Sequence, residues 1–215
     1  MAMLDALLFT KTPQFAKSLY PECIWDVATQ SPTLYLTFDD GPQPDITPFV
    51  MDTLAKYNAK ATFFCVGKNI EKHPELFQRI LREGHAIGNH TFDHVNGWKT
   101  DNLLYYQNIA QCDKTLAEQA PETSRLLFRP PYGKLTPAQY RNLKSKYRIV
   151  MWDVLSCDFD LSCTAEKVLQ NVLTNATRGS VVVMHDSLNA KPKVEYALPR
   201  ILEHFSAKGF TFDAL

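Results

Sequence analysis

The stretch TLYLTFDDGPQPDITPFVMDTLAKY, Thr33 to Tyr57, contains one strand–turn–helix unit, and the rest of the chain repeats its pattern. Thr33 to Phe38 is an extended apolar run that reads as a strand. It ends in two adjacent carboxylates, Asp39 and Asp40, and Gly41-Pro42 then turns the chain. Ile46, Phe49, Val50, Leu54 and Tyr57 share one face of a helix, with Thr47 as its expected N-cap and Pro48 at the first helical position. Neighbouring carboxylates repel, so two of them at one strand end imply a third object, a cation or a substrate.

Further extended apolar runs occur at 60–66, 85–88, 125–128, 148–152, 180–184 and 210–212. Helical spacing follows Pro74, with Gly84 placed to stop that helix. It recurs at 101–119, 136–146, 164–175 and 194–206. Strands and helices alternating in units of about 30 residues give a mainly parallel sheet with helices outside it. Seven such units are few for an eight-unit barrel of ~250 residues, and no Gly-rich nucleotide fingerprint follows the first strand. The expected fold is therefore α/β, a single-domain distorted (β/α)7-type barrel over residues 31–215, with residues 1–30 as an N-terminal extension packed on it.

Composition narrows the function classes. With 215 residues, 45% of them hydrophobic, the chain can bury a substantial core. Lys+Arg and Asp+Glu both number 23, so net charge is zero and there is no basic stripe for nucleic acid. No apolar run approaches the ~18 residues of a membrane span. The N-terminal MAMLDALLFTKTPQFAKSLYP lacks a basic n-region and does not read as a signal peptide. The expected location is the cytoplasm, or the cell envelope if an export signal has been removed. Five cysteines without a C-x-x-C pair fit free thiols better than a thiolate metal site. The sequence sets no oligomeric state.

The conspicuous polar residues fall at or just beyond strand ends: Asp39 and Asp40, His90 and His94, Arg129, Asp153 and Asp158, and His185. The carboxyl ends of parallel strands share one face of a barrel, where active sites are built. In HTFDH, two imidazoles four residues apart would stand ~5–6 Å from each other if the segment is one helical turn. With a carboxylate from another strand end they make a two-His, one-carboxylate metal set with open positions. A bound cation would absorb the charge of one aspartate of the pair and leave the other free to take a proton from an activated water. His73, His85 and His204 have no such setting and read as structural.

FRPPYGK, Phe128 to Lys134, holds its backbone extended through two prolines. It fixes Arg129 and the Tyr132 amide, which could face a developing oxyanion. A histidine ending the apolar strand VVVMH needs a partner, and Asp158 is the candidate. Such a pair would keep His185 protonated as a general acid, while Arg129 beside Asp39 would favour the carboxylate base.

Together TFDDGP, HTFDH, RPPYG, WDVLSCDF and VVMHDS resemble, in order, the motifs of the polysaccharide deacetylase family (carbohydrate esterase family four). The resemblance implies metal-dependent removal of N- or O-acetyl groups from an acetylated glycan such as peptidoglycan or chitooligosaccharide. It implies Asp40, His90 and His94 as metal ligands, with Zn²⁺ as the ion and Co²⁺, Ni²⁺ or Fe²⁺ as alternatives. Asp39 would be the base, His185 the acid, Arg129 and Asp158 their orienting partners, and the Tyr132 amide the oxyanion donor. Pro131, Trp152, Phe159 and Val183 would line the acetyl pocket. Phe159 stands where the family usually has Trp, and Val183 where it has Leu. Other readings are a carbohydrate-binding protein that keeps the metal without turnover, a deacylase of a small N-acyl compound, and a non-haem iron oxygenase.

Overall fold

The structure, a computed structural model, describes residues 9–120 and 127–215. The start of the N-terminal extension (1–8) and the first part of the expected strand at 125–128 lie outside the described residues. In chain order the elements are α1 (Gln14–Leu19), β1 (Thr33–Asp39), α2 (Thr47–Ala55), β2 (Thr62–Cys65), α3 (Gly67–Lys72), α4 (Pro74–Arg82), β3 (Ala86–Asn89) and α5 (Asn102–Gln119). There follow β4 (Leu127–Phe128), α6 (Pro137–Leu143), β5 (Arg148–Ile149), β6 (Val154–Leu155), α7 (Ala165–Asn175), β7 (Val181–His185), α8 (Lys191–Ala207) and β8 (Thr211–Phe212).

All strand pairs are parallel, in the order β5-β4-β3-β2-β1-β7-β6, with β8 added against the start of β1. The sheet curls into an incomplete barrel, the expected class. Sequence patterning missed β6 and the short helices α1 and α3, and it counted β8 as a barrel strand. β6 has only two residues, too few to show a period.

The N-terminal segment serves the two edge strands. Ile24 donates its amide to Ile149 and accepts from Met151, both at 2.8 Å, beside β5. On the other edge, Leu155 donates to Thr10 and Thr12 to Asp153, again at 2.8 Å. Edge groups that would otherwise be open are thus paired. Asp153, which follows β5, stands at the start of β6 rather than in the site. It accepts Lys11 at 2.6 Å, Lys17 at 2.7 Å and the Ser180 hydroxyl.

Strand alternation decides what faces the barrel interior. On β1, Leu34, Leu36 and Phe38 pack outward among Ile46, Val50 and Leu54 of the α2 region and Val194 and Leu198 of α8. The odd positions Tyr35, Thr37 and Asp39 take the other face. On β7, Val182 and Met184 belong to that outer core, leaving Val181, Val183 and His185 on the inner side. The register sets Thr37 against Val183 and Asp39 against His185. Parallel partners in register project to the same face about 4.8 Å apart, so β-pairing alone delivers two titratable groups side by side.

One expected cap is different. Ile46, not Thr47, precedes α2, and no side chain caps that helix. The Thr47 hydroxyl instead accepts the Gln43 amide at 2.7 Å and donates to buried Asp186. Its first commitment is to the loop carrying the aspartate pair.

Candidate active site

Every expected polar site residue except Asp153 gathers at the carboxyl end of the barrel. Asp39 is the last residue of β1 and is 3% exposed. Its Oδ1 accepts from Arg129 at 2.7 Å. Arg129 has no exposed surface, and the rest of its guanidinium is spent on Thr37 Oγ1 and the carbonyls of Val150 and Met151. It also lies 4.2 Å from the centroid of Phe64. A buried cation bonded through Nε and both terminal nitrogens is a fixed object, and it holds Asp39 in one orientation.

Asp40 turns the other way. Its φ of 85° swings the chain out of the strand, and Asn69 Nδ2 clamps its carbonyl at 2.7 Å. Its Oδ1 lies 3.2 Å from His94 Nε2 and 3.8 Å from His90 Nε2. That oxygen is buried without a hydrogen-bond partner. Burial alone would raise the carboxyl, but His94, His185 and His90 outweigh it and hold Asp40 well below the usual carboxylate range.

His90 follows β3, and its Nδ1 lies 2.8 Å from the Arg129 carbonyl. A carbonyl can only accept, so Nδ1 carries the proton and Nε2 keeps its lone pair toward Asp40. Burial lowers His90 to about 4, leaving it neutral near pH 7. The HTFDH segment is a loop rather than the expected helical turn, with Thr91 at φ 63° and His94 at φ 58°. The imidazole centroids are nonetheless 5.0 Å apart. Asp40, His90 and His94 each offer a ligand atom within 4.8 Å of the others.

Opposite them, Asp158 accepts twice from His185, at 2.7 Å from the backbone amide and 2.7 Å at Nδ1. Asp158 is fully buried. Burial by itself would lower His185, but Asp158, helped by Asp40 and Asp39, overrides it and raises the imidazole to about 9. Phe159 sits edge-on to the His185 ring at 5.1 Å between centroids.

Asp39, Asp40, His90, His94 and His185 surround a cavity of about 150 Å³ lined also by Tyr132, Trp152, Phe159 and Val183, with Arg129 and Asp158 buried behind it. Gly133 and Leu155 line it too, which sequence reasoning missed. Pro131, expected in the pocket, is buried in the turn and does not line it. Tyr132 adopts φ 61° there and packs its ring 4.7 Å from His94. Asp40, Thr91, His94, Tyr132 and Cys157 all have positive φ without being glycine. Left-handed backbone at such residues is costly and concentrates where function demands it.

Asp186 was also missed. It is fully buried and accepts the Gly41 amide at 3.0 Å and the Thr47 hydroxyl. The available signal was a second acid directly after His185 at the end of an apolar strand.

Comparison with known proteins agrees with this geometry. The family model for polysaccharide deacetylase matches residues 26–152. A peptidoglycan N-acetylglucosamine deacetylase of Bacillus cereus is 34% identical over 190 residues, covering 87% of this chain and 88% of that protein. A chitooligosaccharide deacetylase of Azorhizobium caulinodans is 34% identical over 196 residues, covering 85% of this chain and 92% of that protein. The crystal structure of the Bc1960 peptidoglycan N-acetylglucosamine deacetylase, in complex with an N-oxidanyl-benzamide, matches with a TM-score of 0.85 and 33% identity, covering 95% of each chain. The chain belongs to the polysaccharide deacetylase family, hydrolases that remove acetyl groups from carbohydrate.

Proposed function

We propose that the chain removes acetyl groups from N-acetylglucosamine residues of peptidoglycan or chitooligosaccharide, using a divalent ion held by Asp40, His90 and His94. The residues fit such an ion on their own chemistry. Asp40 keeps an orphaned buried oxygen, and His90 is neutral with its Nε2 lone pair directed at that oxygen. Two imidazoles, one carboxylate and open positions suit Zn²⁺, the proposed ion. Held there, the ion supplies Lewis acidity and makes water acidic enough to lose a proton near neutral pH.

Asp39 serves as the base. Its Oδ1 is tied to Arg129, and its Oδ2 lies 4.0 Å from His90 Nε2, on the side of the site. His185 serves as the acid: Asp158 occupies Nδ1, leaving Nε2–H to protonate the departing amine. The Tyr132 backbone N–H is the proposed donor to the developing oxyanion. Trp152, Phe159, Val183 and Leu155 surround the space for the acetyl methyl.

The observation that carries this reading is the division between two adjacent aspartates, one committed to a buried arginine and the other to two imidazoles. The test is amine release from acetylated chitooligosaccharides and from peptidoglycan, with metal analysis of the same protein. Free amine and about one zinc per chain are expected, and His94→Ala should lose both. A carbohydrate binder would show affinity for the glycan and no new amine.

A further inference from the structure

A second cavity, of about 80 Å³, opens beside the first. Gly133 lines both, and Tyr20, Trp98, Leu135, Tyr140 and Met151 line the second. Trp98 is 54% exposed, yet it is held in place. Its Nε1 donates to the Leu135 carbonyl at 2.9 Å, and its amide donates to Asn96 Oδ1 at 3.0 Å. Fully buried Gln139 donates to the Gly97 carbonyl at 2.8 Å. A Cβ at Gly97 would stand 2.4 Å from the Lys134 carbonyl, so the two loops touch backbone to backbone. One of these loops follows His94 and the other follows Tyr132, both residues of the active-site wall. The Lys134 ammonium lies 4.9 Å from the Trp98 ring centroid.

We propose that Trp98 and this cavity form a subsite for a further pyranose ring of the substrate glycan, next to the sugar being deacetylated. The subsite rests on the glycan deacetylase reading given above. A pyranose presents an apolar face of C–H groups that packs on an aromatic ring while its hydroxyls stay in water. A ring already fixed by its N–H and its turn is ordered before the sugar arrives, so less freedom is lost on binding. The occupant follows from continuity: the cavity shares a wall with the catalytic pocket, so a linked sugar chain can reach both.

The test is a chain-length series of N-acetylglucosamine oligomers, two to six sugars, with kcat and KM measured for each. Wild type is expected to gain roughly tenfold in kcat/KM, through KM, at the length that fills the subsite. Trp98→Ala should flatten that step, and a step equal to wild type would overturn the subsite. Should the alanine variant melt early, Trp98→Leu carries the test: it keeps apolar bulk without an aromatic face, so the step should again flatten, and a step equal to wild type overturns the proposal. If wild type releases no amine from any oligomer or from peptidoglycan, the deacetylase reading fails; in that case, or if only peptidoglycan is turned over, calorimetric binding of the six-sugar oligomer judges the subsite alone. Binding weakened about tenfold by Trp98→Ala supports it, whereas equal binding, or none by either protein, overturns it.

Discussion

Asp39 and Asp40 are covalent neighbours with opposite surroundings, and the cause is backbone geometry. Alternation along β1 sends Asp39 to the inner face, where Arg129 meets it, and the positive φ of Asp40 rotates the next side chain toward the imidazoles. The roles should therefore separate under mutation. Asp39→Asn and His185→Ala are each expected to lower kcat by ~10²–10⁴ while metal content and melting temperature stay near wild type. Asp158 has a distinct signature. An acid works only while it holds its proton, so activity should fall as pH rises through the value of about 9 that Asp158 confers on His185. Asp158→Asn removes the main charge opposing the burial of that imidazole. The alkaline limb of the kcat–pH profile should then move down by at least about one unit, and an unmoved limb would show that His185 is not the acid.

At the scale of the element, the β1–α2 turn is braced from three sides. Asp186 takes the Gly41 amide and the Thr47 hydroxyl, Asn69 holds the Asp40 carbonyl, and the Asp186 amide donates to the Asp39 carbonyl at 3.0 Å. A Cβ on Gly41 would lie 2.0 Å from Asp186 Oδ2. Gly41→Ala should thus cost about 2–4 kcal/mol through forced repacking and weaken metal retention, read by melting and by zinc titration against a chelator. The sequence showed this region's chemistry without its bracing. Strand-end placement of Asp39, His90, Arg129 and His185 was legible because parallel βα order puts all carboxyl ends on one face. The pairings Asp39–Arg129 and His185–Asp158 were expected on charge and desolvation grounds, and both contacts form. The helical turn expected for HTFDH and the N-cap expected of Thr47 failed because tertiary partners overrode local propensity. Thr91 Oγ1 accepts the Val95 amide at 3.2 Å inside a loop, and Asp186 claims Thr47. Asp186 lies within VVMHDS without a partner named by the sequence, and Trp98 carries no periodic or motif signal; the significance of both arises only when distant loops meet.

Across the whole molecule the two ends of the barrel divide the work. The carboxyl ends gather the reactive groups, and the amino ends hold groups whose protonation bears on stability. His85 lies there, just ahead of β3, 7% exposed, with Nδ1 accepting the Ala61 amide at 3.2 Å. A nitrogen that accepts an N–H is unprotonated, and burial, reinforced by Lys60 and Arg79 against Glu83, lowers His85 to about 4. The unfolded chain binds a proton at the ordinary value of 6.5. Above that pH both states are neutral and the contribution of His85 is fully present. As pH falls from about 6.5 toward about 4, only the unfolded state takes up the proton, so unfolding becomes easier by on the order of 2–3 kcal/mol. Other carboxylates and histidines also titrate in this window, so the effect is isolated by difference. In His85→Asn an amide oxygen can accept the Ala61 N–H with nothing to protonate. Urea unfolding of the two proteins at pH 7.5 and pH 4.5 should show wild type losing more stability than the variant, by about 2 kcal/mol. Parallel losses would mean that His85 is charged in the folded barrel and that its nitrogen does not accept from Ala61.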